Sequence, residues 1–298
     1  MAFDDFKVVH DEPMAVGECP LWHHGEGALY WVDIDGFTVH RLHPDSGGHA
    51  SWRMESEPAA LAIHAGGGLV VARRDGFVHL DTVDGTVTPI AVAPYDTTTA
   101  RFNDGRVDPA GRFWVGTRYE RPDQQGAAMY CLDHGQVRTQ WSGGMTNSNG
   151  LGFTPDGRHM YHADTTAHRI DRYDFDAAAG IASNPRPFQR FASNKAEAGY
   201  GGRPDGAAVD SEGNYWCAMF EGGRLLCFAP DGKLLREVKL PLRCPTMIAF
   251  GGRDLKTLYI TSASHKRPAE ELARYPLSGH VLSLQVEVPG QPEPAYQP

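Results

Sequence analysis

SNGLGFTPDGRHMYHADT, Ser148 to Thr165, is the stretch whose reading decides the fold. Polar Asn149 opens a run of small and apolar residues, Pro155-Asp156-Gly157 forms a tight turn, and Met160 and Tyr161 begin a second apolar run. Glycine takes backbone angles that other residues resist, so such a turn between two short apolar runs predicts a β-hairpin. The template recurs as VDPAGRFWVGT (Val107 to Thr117) and VDSEGNYWCAMF (Val209 to Phe220), with the Gly turn and the aromatic pair in register. Looser copies begin at Leu21, Leu61 and Ile248.

The six anchors, Tyr30, Val70, Trp114, Tyr161, Trp216 and Tyr259, lie 40, 44, 47, 55 and 43 residues apart. Such periods mark repeats of about four strands each. Every copy is followed by a further apolar run and turn, as in VHRLHPDSGG, MYCLDHGQV, IDRYDFDAAAG and LLCFAPDGK. One match would say little, but six in order over nearly the whole chain predict an all-β fold, a closed six-bladed β-propeller with few exposed strand edges. Phe6 to His10 (FKVVH) is expected to pair with the last blade near Val281 to Val288, mixing both termini at the seam. No linker or charge block interrupts the repeats, so residues 1–298 read as a single domain.

Composition agrees with a turn-rich chain: 34 Gly and 21 Pro in 298 residues, with 28 basic against 37 acidic side chains and a formal charge of −9. That balance opposes binding to nucleic acid or an anionic membrane. Cys19, Cys131, Cys217, Cys227 and Cys244 show no C-x-x-C pair or metal-type spacing and are expected to be reduced, buried fillers. MAFDDFKVVHDEP lacks the features of a signal peptide, and no run reaches the ~18 apolar residues of a membrane span. A cytoplasmic location is the expectation.

Counting back from the anchors, Glu18, Asn103, Asn149 and Asp205 all fall 11 or 12 residues earlier, where the innermost strand of each blade begins. Blade two has Glu57-Pro58-Ala59 there, and blade six Cys244-Pro245-Thr246. Innermost strands line the central channel, so these positions should converge across its mouth. Two carboxylates buried together cost several kcal/mol each unless a cation or proton compensates. A divalent metal in the channel satisfies that demand. The oxygens of Glu18, Asn149 and Asp205 suit Ca2+, Mg2+ or Mn2+, and Zn2+ or Fe2+ also accept carboxylates. Three protein ligands leave coordination positions open, as in catalytic sites.

The same geometry puts the segments 119–126, 167–168, 221–223 and 264–279, and the long connection 192–204, on the ligand face, with only short turns opposite. The chain has no phosphate loop, no H-E-x-x-H helix, no G-x-S-x-G elbow and no EF-hand loop. His23, His24, His162, His168 and His265 share no register and read as surface or packing residues.

GECPLW, RFNDGRVDPAGRFWVGT, SNGLGFTPDG, RPDGAAVDSEGNYW and FGGRDLKTLYIT, spaced over essentially the full chain, resemble the gluconolactonase, or senescence-marker-protein (regucalcin-like), family of sugar-acid lactonases. The resemblance implies a six-bladed propeller with one divalent metal in its channel, held by Glu18, Asn149 and Asp205. It implies that Asp205 is also the general acid/base, that Arg101 and Asn103 contact substrate, and that the substrate is a small pentono- or hexono-lactone opened to its aldonate. Such members often place a further acidic contact just after the GT of blade three. Here GTRYERP offers Glu120, one position displaced, beside Arg118 and Arg121, so the wall is unusually basic. Two other readings stand beside it: a promiscuous esterase or phosphotriesterase, and a non-catalytic calcium-binding propeller.

Overall fold

The structure is a computed structural model and describes residues 6–121 and 124–298. Six four-stranded antiparallel sheets are arranged as the blades of a propeller. Blade one is β2 (Gly17–His23), β3 (Ala28–Asp33), β4 (Thr38–His43) and β5 (Gly48–Arg53). Blade two is β6 (Pro58–Ile63), β7 (Leu69–Arg73), β8 (Gly76–Leu80) and β9 (Val87–Val92). Blade three is β10 (Ala100–Val107), β11 (Phe113–Tyr119), β12 (Ala128–Asp133) and β13 (Gln136–Ser142). Blade four is β14 (Ser148–Phe153), β15 (His159–Asp164), β16 (Arg169–Asp176) and β17 (Ile181–Arg190). Blade five is β18 (Arg203–Val209), β19 (Tyr215–Phe220), β20 (Arg224–Phe228) and β21 (Leu234–Lys239).

Blade six mixes the two termini as expected. Its β22 (Pro245–Gly251), β23 (Thr257–Ser262) and β24 (Val281–Gln285) are completed by β1 (Lys7–His10), with Lys7 opposite Ser283 and His10 opposite Val281. Each innermost strand touches its neighbour around the ring, including β2 against β22. The one helix among the described residues, α1 (Ala269–Arg274), sits in the long segment between β23 and β24. No helix there is long and apolar enough to cross a membrane.

The repeat is explained by its turns. Asp108 Oδ1 accepts from the amides of Ala110 and Arg112 while Oδ2 accepts from Trp114 Nε1 at 3.0 Å. Asp210 does the same for Glu212, Asn214 and Trp216 Nε1, again at 3.0 Å. Gly111 and Gly213 close these turns at φ 86° and 84°, where a side chain would be strained. Thus one buried carboxylate fixes both the hairpin and the rotamer of the anchor indole. All six anchors lie on second strands and are buried, packing blade against blade.

A second regularity positions function. Every innermost strand breaks register with its partner near its start: between Glu18 and Leu21, Pro58 and Ala60, Phe102 and Gly105, Asn149 and Gly152, Pro204 and Ala207, and Pro245 and Ile248. A bulge re-aims the side chains it carries. Glu18, Asn103, Asn149 and Asp205 stand at or inside these bulges, which turn them toward the axis.

The face opposite the bulges departs from the sequence expectation of short turns alone. Residues 286–298 cross it as an extended strap: Ser211 N donates to Pro289 O, Tyr296 N to Ile63 O and Gln297 N to Gly111 O. The segment is rich in proline and has no strand periodicity, so it gave no signal as part of the channel. It brings Glu293 onto Arg106, closing the floor with an ion pair.

Candidate active site

A cavity of about 700 Å³ opens at the bulged end of the channel. Glu18, Arg101, Asn103, Asn149 and Asp205 all line it, as do Glu57 and Thr246 from the two blades without a carboxylate or amide at the bulge. The loop expectations hold for Tyr119 and Glu120, for Arg203 in 192–204, and for His265, Lys266 and Arg267, whereas 167–168 and 221–223 do not reach the cavity wall. Pro122 and Asp123 of the blade-three loop lie outside the described residues.

The polar side chains are held in a directed chain. Arg101 Nη1 donates to Phe102 O and to Asn103 Oδ1, both at 2.8 Å. Asn103 Nδ2 donates to Ser148 O at 2.9 Å and to Asn149 Oδ1 at 3.0 Å. Asn149 Nδ2 donates to Thr165 Oγ1 at 2.7 Å, and that hydroxyl donates to Pro204 O at 2.7 Å, one residue from Asp205. A guanidinium can only donate, so Arg101 fixes the sense of both amides through to blade five. Asn149 Oδ1 is thereby the oxygen, with a lone pair left over.

The carboxylates contrast with this ordered set. Glu18 accepts one hydrogen bond, from Cys19 N at 2.9 Å. Asp205 accepts none within the described residues. Asp104, the bulge residue after Asn103, accepts from Leu151 N at 2.9 Å with Oδ2, whereas its buried Oδ1 has no partner. Burial, then the charges of Asp205 and Asp104, push the Glu18 carboxyl well above the usual range. Burial also raises Asp205, against the pull of Arg203, Arg118 and Arg101, and it raises Asp104 to about 6. Three buried acids with so few donors make an anionic hollow. A hard divalent cation fits that donor set, and Glu18, Asn149 and Asp205 present their oxygens to the cavity.

The wall above the hollow is cationic. Arg101 and Arg118 are opposite each other on β10 and β11. Burial, then the charge of Arg118, lowers Arg101 to about 10. Arg118 is exposed, lines the cavity and pairs with no carboxylate in the described residues. Glu120 lines it too but is engaged elsewhere: Arg74 grips it at 2.7 and 3.1 Å and holds Glu57 at 2.9 Å. Arg121 is exposed. Across the mouth, Arg203 and Arg267 share Glu221 at 3.3 and 3.2 Å.

Sequence reading missed several of these residues. Asp104 was open to interpretation as a turn former; its place one step after Asn103 in the bulge was the available signal. His265, read as a surface or packing residue, is exposed, and it also lines the cavity and pairs with Asp35. His162 is a packing residue as read, sharing a 2.9 Å hydrogen bond with Ser148 Oγ. All five cysteines are free and buried.

Known proteins resemble this chain over most of its length. The family described as SMP-30/Gluconolactonase/LRE-like region matches residues 16–264. A 6-deoxy-6-sulfogluconolactonase from Pseudomonas putida is 44% identical over 295 residues, covering 98% of this chain and 99% of that protein. Regucalcin from Danio rerio is 37% identical over 278 residues, 92% of this chain and 91% of its own. Among solved structures, a calcium-binding protein, regucalcin, from Agrobacterium tumefaciens superposes with a TM-score of 0.90 at 29% identity, covering 97% of this chain and 96% of that one.

Proposed function

Since the chain belongs to the SMP-30/gluconolactonase/LRE-like family, we propose that it hydrolyses sugar-acid lactones to open-chain aldonates with one divalent ion in the channel. The observation that carries this is the pair of carboxylates Glu18 and Asp205, which accept a single hydrogen bond from the described residues and line a cavity whose walls carry Arg101 and Asn103, with the buried Asp104 close enough to raise Glu18 further. Glu18, Asn149 and Asp205 would hold the ion. When bound, a divalent ion supplies Lewis-acid polarisation of the lactone carbonyl.

The chain's own residues do the rest. Arg101 and Asn103 hold substrate hydroxyls and fix the ring near attack geometry. Asp205 takes a proton from the attacking water as its oxygen bonds to the carbonyl carbon. The bond from that carbon to the ring oxygen then breaks, Asp205 returns the proton to the leaving oxygen, and the acid product ionises. An Asp205 carboxylate without protein hydrogen bonds keeps an oxygen for this transfer.

The cationic wall refines the substrate. Arg118 lines the cavity beside Arg101 with no carboxylate partner among the described residues, so a lactone with an anionic substituent fits better than a neutral one. The Pseudomonas putida relative is named for a sulfogluconolactone.

The test is a proton-release assay over neutral and anionic aldonolactones, aryl esters and organophosphates. It uses metal-stripped protein with each divalent ion returned in turn. Lactone turnover that depends on an ion and vanishes in Asp205→Asn supports the reading. Faster ester or organophosphate turnover, or ion binding without any turnover, would replace it with one of the two alternatives.

A further inference from the structure

The seam where the ring closes carries side chains for which lactone hydrolysis has no use. His10 ends β1, the strand that the N-terminus contributes to blade six, whereas His40 and His49 lie on β4 and β5, the outer strands of blade one. One nitrogen from each ring lies within 4.8 Å of the other two. His40 Nδ1 is 3.2 Å from His49 Nε2, and His40 Nε2 is 2.9 Å from Thr38 Oγ1. The His10 ring centroid is 4.6 Å from that of His49, and Trp31 stacks on His40 at 5.0 Å.

His10 is only 9% exposed, and its Nε2 is buried without a hydrogen-bond partner among the described residues. A buried polar atom left so costs about 1–3 kcal/mol, and the cluster provides no acceptor or donor to relieve it. We propose that His10, His40 and His49 form a second metal site, for a borderline transition-metal ion such as Zn2+, that fastens the N-terminal strand of blade six to blade one.

Ligand chemistry separates this site from the channel. Imidazoles select Zn2+ and its neighbours, whereas carboxylate and amide oxygens suit harder ions. Zinc–nitrogen bonds of 2.0–2.1 Å place tetrahedral ligands about 3.3 Å apart. The His40–His49 pair already has that separation, and the remaining nitrogens need to close by about 1.5 Å at most, a matter of side-chain rotation. Thr38 accepting from His40 Nε2–H would leave the Nδ1 lone pair facing the others, the usual outer-shell support of a metal-bound imidazole. The fourth position is open to water or to Glu12, whose Oε2 is 3.8 Å from His10 Nε2.

The position gives the site a purpose. A propeller opens most readily at its seam, where one short strand joins the termini. An ion shared between β1 and β4–β5 would resist that opening.

The experiment uses the untagged, chelator-stripped full chain in a Glu18→Gln background, which disables the channel site, with and without His49→Ala. His49 is exposed, so its loss spares the core. Glu18→Gln should bind one Zn2+, show the visible absorption of tetrahedral Co2+ on titration, and melt about 4 °C higher at a hundredfold excess over Kd. Adding His49→Ala should abolish all three responses. The proposal is overturned if Glu18→Gln binds no Zn2+, or if the double variant binds it as tightly with the same shift in midpoint. Neither result touches the lactonase reading, which this site does not enter.

Discussion

Asp205→Asn should stabilise the metal-free protein while abolishing its activity. The Asp205 carboxylate is buried, accepts no hydrogen bond from the described residues, and shares the hollow with Glu18 and Asp104. An uncompensated buried charge costs on the order of 3 kcal/mol or more, and an amide of the same shape removes it. Unfolding entropy of about 2.1 cal/mol/K per residue gives about 0.6 kcal/mol/K for this chain, so 3 kcal/mol corresponds to a midpoint about 5 °C higher. The sign with pH follows from the raised carboxyl. Below the unfolded value the folded acid is neutral and nothing is lost; as pH rises toward the folded value the wild type loses stability, and the loss is complete above it. Thermal melts in chelator should therefore separate variant from wild type at pH 8 and bring them together near pH 4. A divalent ion should nearly close the gap at a hundred times Kd, adding about 2.7 kcal/mol to the wild type and little to the variant, and reverse the order at a thousand times Kd, where it adds about 4.1 kcal/mol. If Asp205→Asn melts below the wild type in chelator at pH 8, the hollow is not electrostatically frustrated and the argument for a cation there fails.

Arg118→Ala should lower kcat/KM about 10- to 100-fold for a lactone with an anionic substituent, the value of one charge-assisted hydrogen bond, and less than about threefold for its neutral counterpart; equal losses on both would show that the wall does not read charge. Asn103→Ala removes the link between Arg101 and Asn149, and steady-state kinetics should show kcat/KM reduced about 100-fold, the scale of a misplaced site, with ion affinity weakened alongside. Glu293→Ala leaves the Arg106 guanidinium buried beside Leu151 O and Ala207 O without its counter-ion; a loss of about 3 kcal/mol should lower the calorimetric midpoint by about 5 °C, and an unchanged midpoint would deny the strap a structural role.

The fold was legible because one piece of physics is repeated. Asp108 and Asp210 each bind a turn and an indole, so D-x-x-G-x-x-W recurs at Asp108–Trp114 and Asp210–Trp216, while the copies at Tyr30 and Val70 keep only the Gly three residues before the anchor. Site positions were legible for the same reason: a bulge at one register in six strands puts Glu18, Asn103, Asn149 and Asp205 at matching distances before the anchors. What could not be read depends on pairings without a period. Glu120 is set by Arg74, 46 residues earlier in another blade. Arg106 is matched by Glu293, 187 residues later, in a strap with neither strand nor helix pattern. The His10, His40 and His49 cluster escapes a count of registers because it joins outer strands across the seam, not inner strands around the axis.

These unreadable pairings bear on the readable site. Burial raises the Asp104 carboxyl, and the charge of Arg106 from below offsets only part of that rise. Were Arg106 free, it could serve the three acids as a counter-ion and leave little for a metal to neutralise. It is bound instead to Leu151 O, Ala207 O and Glu293. From above, Glu120 and Glu57 occupy Arg74 in the same way, and Glu221 occupies Arg203 and Arg267. Among the described residues these cations are thus held in pairs that exclude the acids, whereas Arg101, Arg118 and Lys266 line the cavity outside any ion pair. Pairing on both sides of the hollow leaves Glu18, Asp104 and Asp205 short of positive charge, so that under the proposed reading a rigid ring of strands binds an ion and leaves its open positions to a ligand.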